Sequence, residues 1–395
     1  MYKGLRFDPS RDNLLSQQDD KLHSELRSKL SAGYSGREVD ELESKIDENI
    51  LKFVNLIKTY ADSELPMDMG RKVAFFSLDT ISHLAFGEPL GDLSSDSDVY
   101  GYIDELEKSL PFIILTTAIP WIMTLMKLPF FSSLTPNARD TKGLGKAVGI
   151  AKEVTKGRFS EDGIIRRDML GSFIARGLTQ LEAESELVLQ LIAGSDTTAT
   201  AIRMTLLHVI TNYRVLGTLL AEIDAKKPTW PVITDEEARK MPYLQAVIKE
   251  GLRIWPPLAS LESKEVPKGG DTFGELFLPE GTCIGVCIWG IMRRADVWGK
   301  NAAEFRPERW LSCDPQQLKV MTATLNLVFH TGKWQCLGKN VALMELNKVF
   351  VELLRRFEFV IIDPSKPMKS SNRSIFLQSE FWLRAYCRPS AQALI

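Results

Sequence analysis

The segment from Thr179 to Asn212 sets the scale of any fold open to this chain: it begins with Thr179 and Glu182 three residues apart, then continues apolar without a proline. Thr followed at that distance by Glu is the capping-box pattern, in which each side chain satisfies an otherwise free backbone N–H at a helix start. The segment predicts one helix of some nine turns, at about 3.6 residues each. Around it, from about residue 12 to 260, apolar residues recur at three- and four-residue spacing, as in Leu51, Val54, Leu56 and Ile57, so the first two thirds read as mostly α. With 395 residues, 44% of them hydrophobic and 25% charged, the chain can bury a large core, and its length allows two or three ordinary domains or one large single-core fold. It is neither disordered nor a polytopic membrane protein.

Composition narrows the function classes. Lys+Arg 49 against Asp+Glu 51 leaves a formal charge of -2, with no excess to neutralise a phosphate backbone, so nucleic acid is excluded as a partner. The five cysteines, Cys283, Cys287, Cys313, Cys336 and Cys387, are odd in number and form neither a CxxC pair nor a zinc-ligand spacing, which favours a reducing compartment. Residues 1–30 are dense in Asp, Arg and Lys and lack the apolar region of a signal peptide. Only Ser109 to Met126 runs uncharged for the length of a spanning helix, but it holds Pro111, Pro120, Thr116, Thr117 and Thr124; it reads as a pair of short apolar helices, buried or lying on a membrane surface.

Between Ser263 and Trp289 the texture changes to strand and turn, with Gly269-Gly270 and Pro279-Glu280-Gly281 punctuating short runs and Thr282 to Trp289 rich in strand formers. Helical texture resumes at Cys336 to Phe357, and Ser374 to Cys387 is β-like. There is no internal repeat.

The segment Phe329-His330-Thr331-Gly332-Lys333-Trp334-Gln335-Cys336-Leu337-Gly338 is a glycine-bearing loop running into an amphipathic helix. At a helix N-terminus, free N–H groups and the positive end of the macrodipole favour thiolate over thiol at Cys336, as a metal ligand requires. Gly332 and Gly338 let the backbone come close to whatever Cys336 holds. Two other readings stay open on these residues alone: a small buried apolar cysteine, and a thiol nucleophile with His330 as its base.

Phe329-x-x-Gly332-x-x-x-Cys336-x-Gly338 resembles the haem-binding loop of cytochromes P450, and Trp334-Gln335-Cys336-Leu337-Gly338-Lys339 with Met344-Glu345-Leu346-Asn347-Lys348 is most similar to fungal pisatin demethylase-like members. The resemblance implies a mostly α fold with a small β region as one domain over 1–395: helix-rich at 12–260, β-rich at 263–289, the cysteine loop and its helix at 329–357, and β again at 374–387. It implies haem b, with Cys336 as axial thiolate ligand of the iron and Phe329, Gly332, Trp334 and Gly338 around it. Ala193-Gly194-Ser195-Asp196-Thr197-Thr198, inside the long helix, resembles the family's oxygen-activation motif; Asp196 would relay protons and Thr197 hold dioxygen or a water. Glu250 and Arg253, with Arg309 of Phe305-Arg306-Pro307-Glu308-Arg309-Trp310, match the family's structural Glu/Arg/Arg cluster. His23, Arg27 and Lys264 match positions that meet the haem propionates, and Trp334 stands where relatives commonly carry Arg or His. Met292 replaces a common His before Asp296-x-Trp298-Gly299.

The resemblance begins at the family's C helix; the usual membrane anchor, A and B helices and first strands have no counterpart, so the chain reads as N-terminally truncated. It implies monooxygenation of an apolar small molecule in fungal secondary metabolite biosynthesis or detoxification, with electrons from NADPH through a cytochrome P450 reductase that Lys333 and Lys339 would help to dock. It further implies residence on the cytosolic face of the endoplasmic reticulum membrane, with peripheral contact through 109–126. Leu189, Ile192, Leu258, Ala259 and Leu261 are expected to line the substrate pocket. The rival readings are a P450-fold isomerase or dehydratase needing no reductase, a haem-free remnant, and a Cys/His hydrolase.

Overall fold

The computed structural model describes residue 6, residues 11–119, residue 122, and residues 139–160, 166–261 and 263–389. The capping box forms as expected: Thr179 Oγ1 accepts from the Glu182 N–H at 3.3 Å and Glu182 accepts from the Thr179 N–H at 2.8 Å, starting a helix over Gln180–Ile210. The other principal helices are α1 (Asp20–Tyr34), α2 (Leu42–Asp62), α3 (Met69–Phe86), α4 (Tyr102–Ala118), α5 (Gly143–Arg158), α6 (Met169–Ala175), α7 (the Gln180–Ile210 helix), α8 (Tyr213–Lys226), α9 (Pro242–Ile254), α10 (Pro315–Leu325) and α11 (Lys339–Arg356).

The long helix sits at the centre because its neighbours need an apolar partner on every side. In α3 every residue except Arg71 is buried, so the helix is interior, where Asp79 accepts from the N–H groups of Gly91, Asp92 and Leu93. It packs along α7, which also meets α5, α9 and α11. The core is continuous from Leu26 on α1 to Ala385 near the C-terminus.

Strand structure is slight. Strands β1 (Met67–Asp68) and β6 (Phe357–Ile361) flank β9 (Trp382–Cys387) in a three-stranded antiparallel sheet, with Met67 opposite Leu383 and Ile361 also opposite Leu383. Strands β7 (Lys369–Arg373) and β8 (Ile375–Ser379) form a hairpin, as do β3 (Asp271–Phe273) and β4 (Leu276–Leu278), while β2 (Lys264–Glu265) pairs with β5 (Cys283–Ile284).

Three expectations need correction. The strand expected over Thr282 to Trp289 is only Cys283–Ile284, followed by a helical turn at Ile288–Ile291. Val286 still gives its N–H to the Leu261 carbonyl at 2.7 Å, but the chain then turns to carry the Met292 carbonyl to the buried Arg253, which ends the extended run. The pair of short helices expected over Ser109 to Met126 is, as far as Ala118, a single helix that runs through Pro111; residues 120, 121 and 123–126 lie outside the described residues. The helix after the cysteine starts at Lys339, not at Cys336. Among the described residues no helix is long and apolar enough to cross a membrane.

Candidate functional site

The cysteine loop closes on itself through the Cys336 N–H, which donates to the Phe329 carbonyl at 2.8 Å. His330 and Gly332 both take left-handed backbone angles, φ 58° and 62°; Gly332 adopts this without strain and His330 does not. Cys336 lies just ahead of α11, with the backbone N–H groups of Gly338 and Lys339 near enough to its sulfur to favour the thiolate. The expected thiolate bias is outweighed: burial pushes the thiol above its ordinary range, against these two donors and the charges of Arg27 and Lys339. The residue is nonetheless solvent-accessible. A group that ligates this sulfur must expel the proton, as a metal centre does.

Around the loop lie the residues expected at a ring edge. Trp334 is sandwiched, with the His23 ring 4.0 Å from its own and the Lys264 Nζ 3.9 Å from its centroid on the other contact. Its role is thus to gather a cation and an imidazole rather than to supply a charge. His23, on α1, is buried; burial and then Arg27 and Lys333 hold it below the ordinary imidazole range, and its Nδ1 is a buried atom with no hydrogen-bond partner. Lys333 pairs with Asp20 at 2.6 Å, and Lys339 Nζ donates to Asn326 at 2.8 Å and lies 5.4 Å from the Phe329 ring.

The helix that follows the cysteine, α11, packs on α7. Leu189 and Ile192 are half-buried, Ala193 is exposed and Thr197 half-buried, positions that fall on one stripe of the helix. An exposed alanine at the midpoint of the central helix marks an internal space. Thr197 Oγ1 donates to the Ala193 carbonyl at 2.7 Å, a back-bond that loosens and bends the turn. Asp196 points elsewhere: its carboxylate lies 3.6 Å from Arg203, two turns on. Arg203 is 2% exposed and already gives its Nε and Nη2 to the Gly70 carbonyl, at 3.0 and 2.8 Å. Burial therefore raises the Asp196 carboxyl, with Arg203 only partly opposing it. Arg203 escaped the sequence reading, although its spacing of two turns from Asp196 on one helix was a usable signal.

Glu250, Arg253 and Arg309 come together as a closed cluster. Glu250 accepts from Arg253 Nε and Nη2 at 2.9 and 2.8 Å, from Arg309 Nε at 2.8 Å, and from the Arg306 N–H and Trp310 Nε1, both at 2.9 Å. Arg253 spends its remaining donors on the carbonyls of Met292, Ala302 and Glu304. Every polar atom here is engaged, as a buried ion cluster requires. Of the expected pocket residues, Leu258 bridges to Ile375 of β8, a strand that also touches α7. Ala259 donates its N–H to the Ser374 carbonyl at 2.9 Å, and Leu261 is 60% exposed.

The residues present fit a haem: an accessible cysteine just ahead of a helix, a small exposed residue at a back-bonded turn of the central helix, and an orphaned imidazole nitrogen beside an indole and a lysine. Comparisons with known proteins agree. A family model described as cytochrome P450 matches residues 4–381. The chain is 42% identical to cytochrome P450 monooxygenase ABA1 of Pyricularia oryzae, over 97% of this chain and 77% of that protein. It is 29% identical to pisatin demethylase of Fusarium vanettenii, over 89% of this chain and 69% of that protein. The crystal structure of the cytochrome P450DA heme domain has the same fold, with a TM-score of 0.78 at 17% identity over 99% of this chain and 83% of that one.

Proposed function

Because this chain belongs to the cytochrome P450 family, we propose that Cys336 is the thiolate ligand of haem b and that the enzyme, a monooxygenase, inserts one oxygen atom into an apolar small molecule of fungal secondary metabolism or detoxification. The balance is substrate C–H, dioxygen, NADPH and one proton going to C–OH, water and NADP+, the electrons passing through a cytochrome P450 reductase. Bound haem supplies the activation of dioxygen. The observation that carries this reading is the solvent-accessible Cys336 set just ahead of α11, on the loop that its own N–H closes onto Phe329.

The protein's own contribution divides among named groups. The N–H donors of Gly338 and Lys339 hold the sulfur as an anion once its proton is expelled. His23, Arg27, Lys264 and Trp334 receive the propionates, with Phe329, Gly332 and Gly338 shaping the loop. Leu189, Ile192, Leu258, Ala259 and Leu261 hold an apolar substrate and exclude water. Thr197 exchanges its bond to Ala193 for one to a water in the site, and Asp196, kept protonatable by burial, passes protons toward it. Glu250, Arg253 and Arg309 hold the loop side of the fold and take no part in chemistry. Lys333 and Lys339 lie where a reductase docks, and 109–126 is the segment for membrane contact at the endoplasmic reticulum.

A carbon monoxide difference spectrum of the reduced protein tests the reading. The thiolate-type band is expected from the native chain and its loss from Cys336→Ala; well-folded native protein without that band overturns the proposal.

A further inference from the structure

Beside Asp196, on the side away from Thr197's face of α7, the structure holds a cavity of about 20 Å³ lined by Tyr102, Glu107, Ser195 and Asp196, with Ala74 and Leu377 among its apolar walls. That is room for one water, which needs at least about 10 to 15 Å³ and two to four polar partners. The partners are there. Tyr102 is 1% exposed and Ser195 5% exposed, and neither the Tyr102 Oη nor the Ser195 Oγ has a well-formed hydrogen bond, though both are buried. Two unpartnered buried hydroxyls next to two carboxyls in a water-sized space form a built site.

The cavity also joins the interior to the surface. Glu107, on α4, has a side chain 35% exposed and lies 3.7 Å from Arg71, which itself pairs with Asp104. Asp196, at the other end, has a side chain 18% exposed and is held by Arg203 from one side only. Burial raises the Glu107 carboxyl, with Arg71 and Arg203 opposing and Asp196 adding to the rise, so it can carry a proton as well as release one.

We propose that Glu107 is the proton inlet of this enzyme: it exchanges protons with solvent and hands them, through one water held by Tyr102, Ser195 and Asp196, to the Asp196 carboxyl. This deepens the reading above, since the relay serves Asp196 and Thr197. Each transfer is a simple proton shift. The Glu107 O–H bond breaks as the water gains a proton, the water's opposite O–H breaks as Asp196 gains one, and Glu107 takes the next proton from solvent. Arg203 acts as a positioning residue that aims Asp196 at the cavity.

Two measurements test it together. A high-resolution crystal structure of the haem-loaded protein is expected to show one ordered water touching Glu107, Asp196 and at least one hydroxyl, lost in the Tyr102→Phe, Ser195→Ala double variant; a dry cavity overturns the proposal. In NADPH-driven turnover with reductase, Glu107→Gln is expected to raise the ratio of peroxide to water formed from dioxygen by about tenfold, below the hundredfold or more that a positioned proton donor supplies. Glu107→Asp is expected to restore it in part, and the carbon monoxide spectrum to stay unchanged in both. An unaltered ratio with an intact spectrum removes Glu107 from the relay while leaving the monooxygenase reading standing; a native chain without the thiolate spectrum fails that reading instead.

Discussion

Two interior carboxylates, the fully buried Glu250 and the half-buried Asp196, meet arginines in opposite ways. Glu250 accepts five hydrogen bonds at 2.8 to 2.9 Å from four residues, so its charge is fully compensated and the group is locked. Asp196 has one cation at 3.6 Å whose best donors are turned to a backbone carbonyl. A saturated carboxylate can do nothing but hold its neighbours in place, whereas an under-coordinated one can change protonation and direction without taking the fold apart. The difference separates scaffold from machinery using side-chain partners alone.

The strongest way to break this contrast is Glu250→Ala, which strands two buried guanidinium groups and is expected to cost about 3 to 5 kcal/mol, read as a fall in the urea midpoint or a failure to yield soluble protein. Asp196→Asn is expected to leave stability within about 1 kcal/mol of native while slowing coupled product formation a hundredfold or more, with the carbon monoxide spectrum retained. Equal destabilisation by the two substitutions would erase the distinction.

Asp92 sharpens the contrast from a third direction. It accepts the Val99 N–H at 3.0 Å, its second oxygen has no partner, and burial pushes its carboxyl up from 3.8 to about 7, with Asp79 and Asp98 adding to the effect. The folded state then keeps the proton to higher pH than the unfolded chain does, so this group's contribution favours folding less and less as pH rises from about 4 through about 7. Asp92→Asn, which keeps the Val99 contact, is expected to be more stable than native by about 4 kcal/mol at pH 8 and nearly equal to it near pH 4, measured by denaturant titration at both values. The smallest expected effect is at Trp334: replacing it with Phe removes the indole donor and weakens the contact with Lys264 by about 0.5 kcal/mol, seen as a two- to threefold faster loss of haem to an acceptor protein.

The sequence carried the parts whose cause is local. Thr179 and Glu182 announced the start of α7, because a capping box is complete within four residues. Glu250, Arg253 and Arg309 were legible as a set because one spacing and one short motif hold all three. The direction of Asp196 was not legible, since it depends on where Arg203 sends its donors, and that is decided by Gly70 on another helix. The same holds for the strand that ended early after Ile284: the turn beyond it brings the Met292 carbonyl to Arg253, a contact no local pattern encodes. The cavity beside Asp196 needed residues of α3, α4, α7 and β8 brought to one place, so Glu107 and Tyr102 carried no signal of their own.

The β1–β9 pairing has a temporal consequence. Met67 and Asp68 bond to Leu383 and Trp382, and Phe381 gives its N–H to Asp68 while its carbonyl receives the Met69 N–H. The start of α3, whose Gly70 carbonyl anchors Arg203, is thus sealed by residues synthesised 313 positions later. At roughly 5 to 20 residues per second, helices made early must wait on the order of half a minute for their final strand, and during that interval their apolar surfaces are exposed to whatever chaperones attend synthesis.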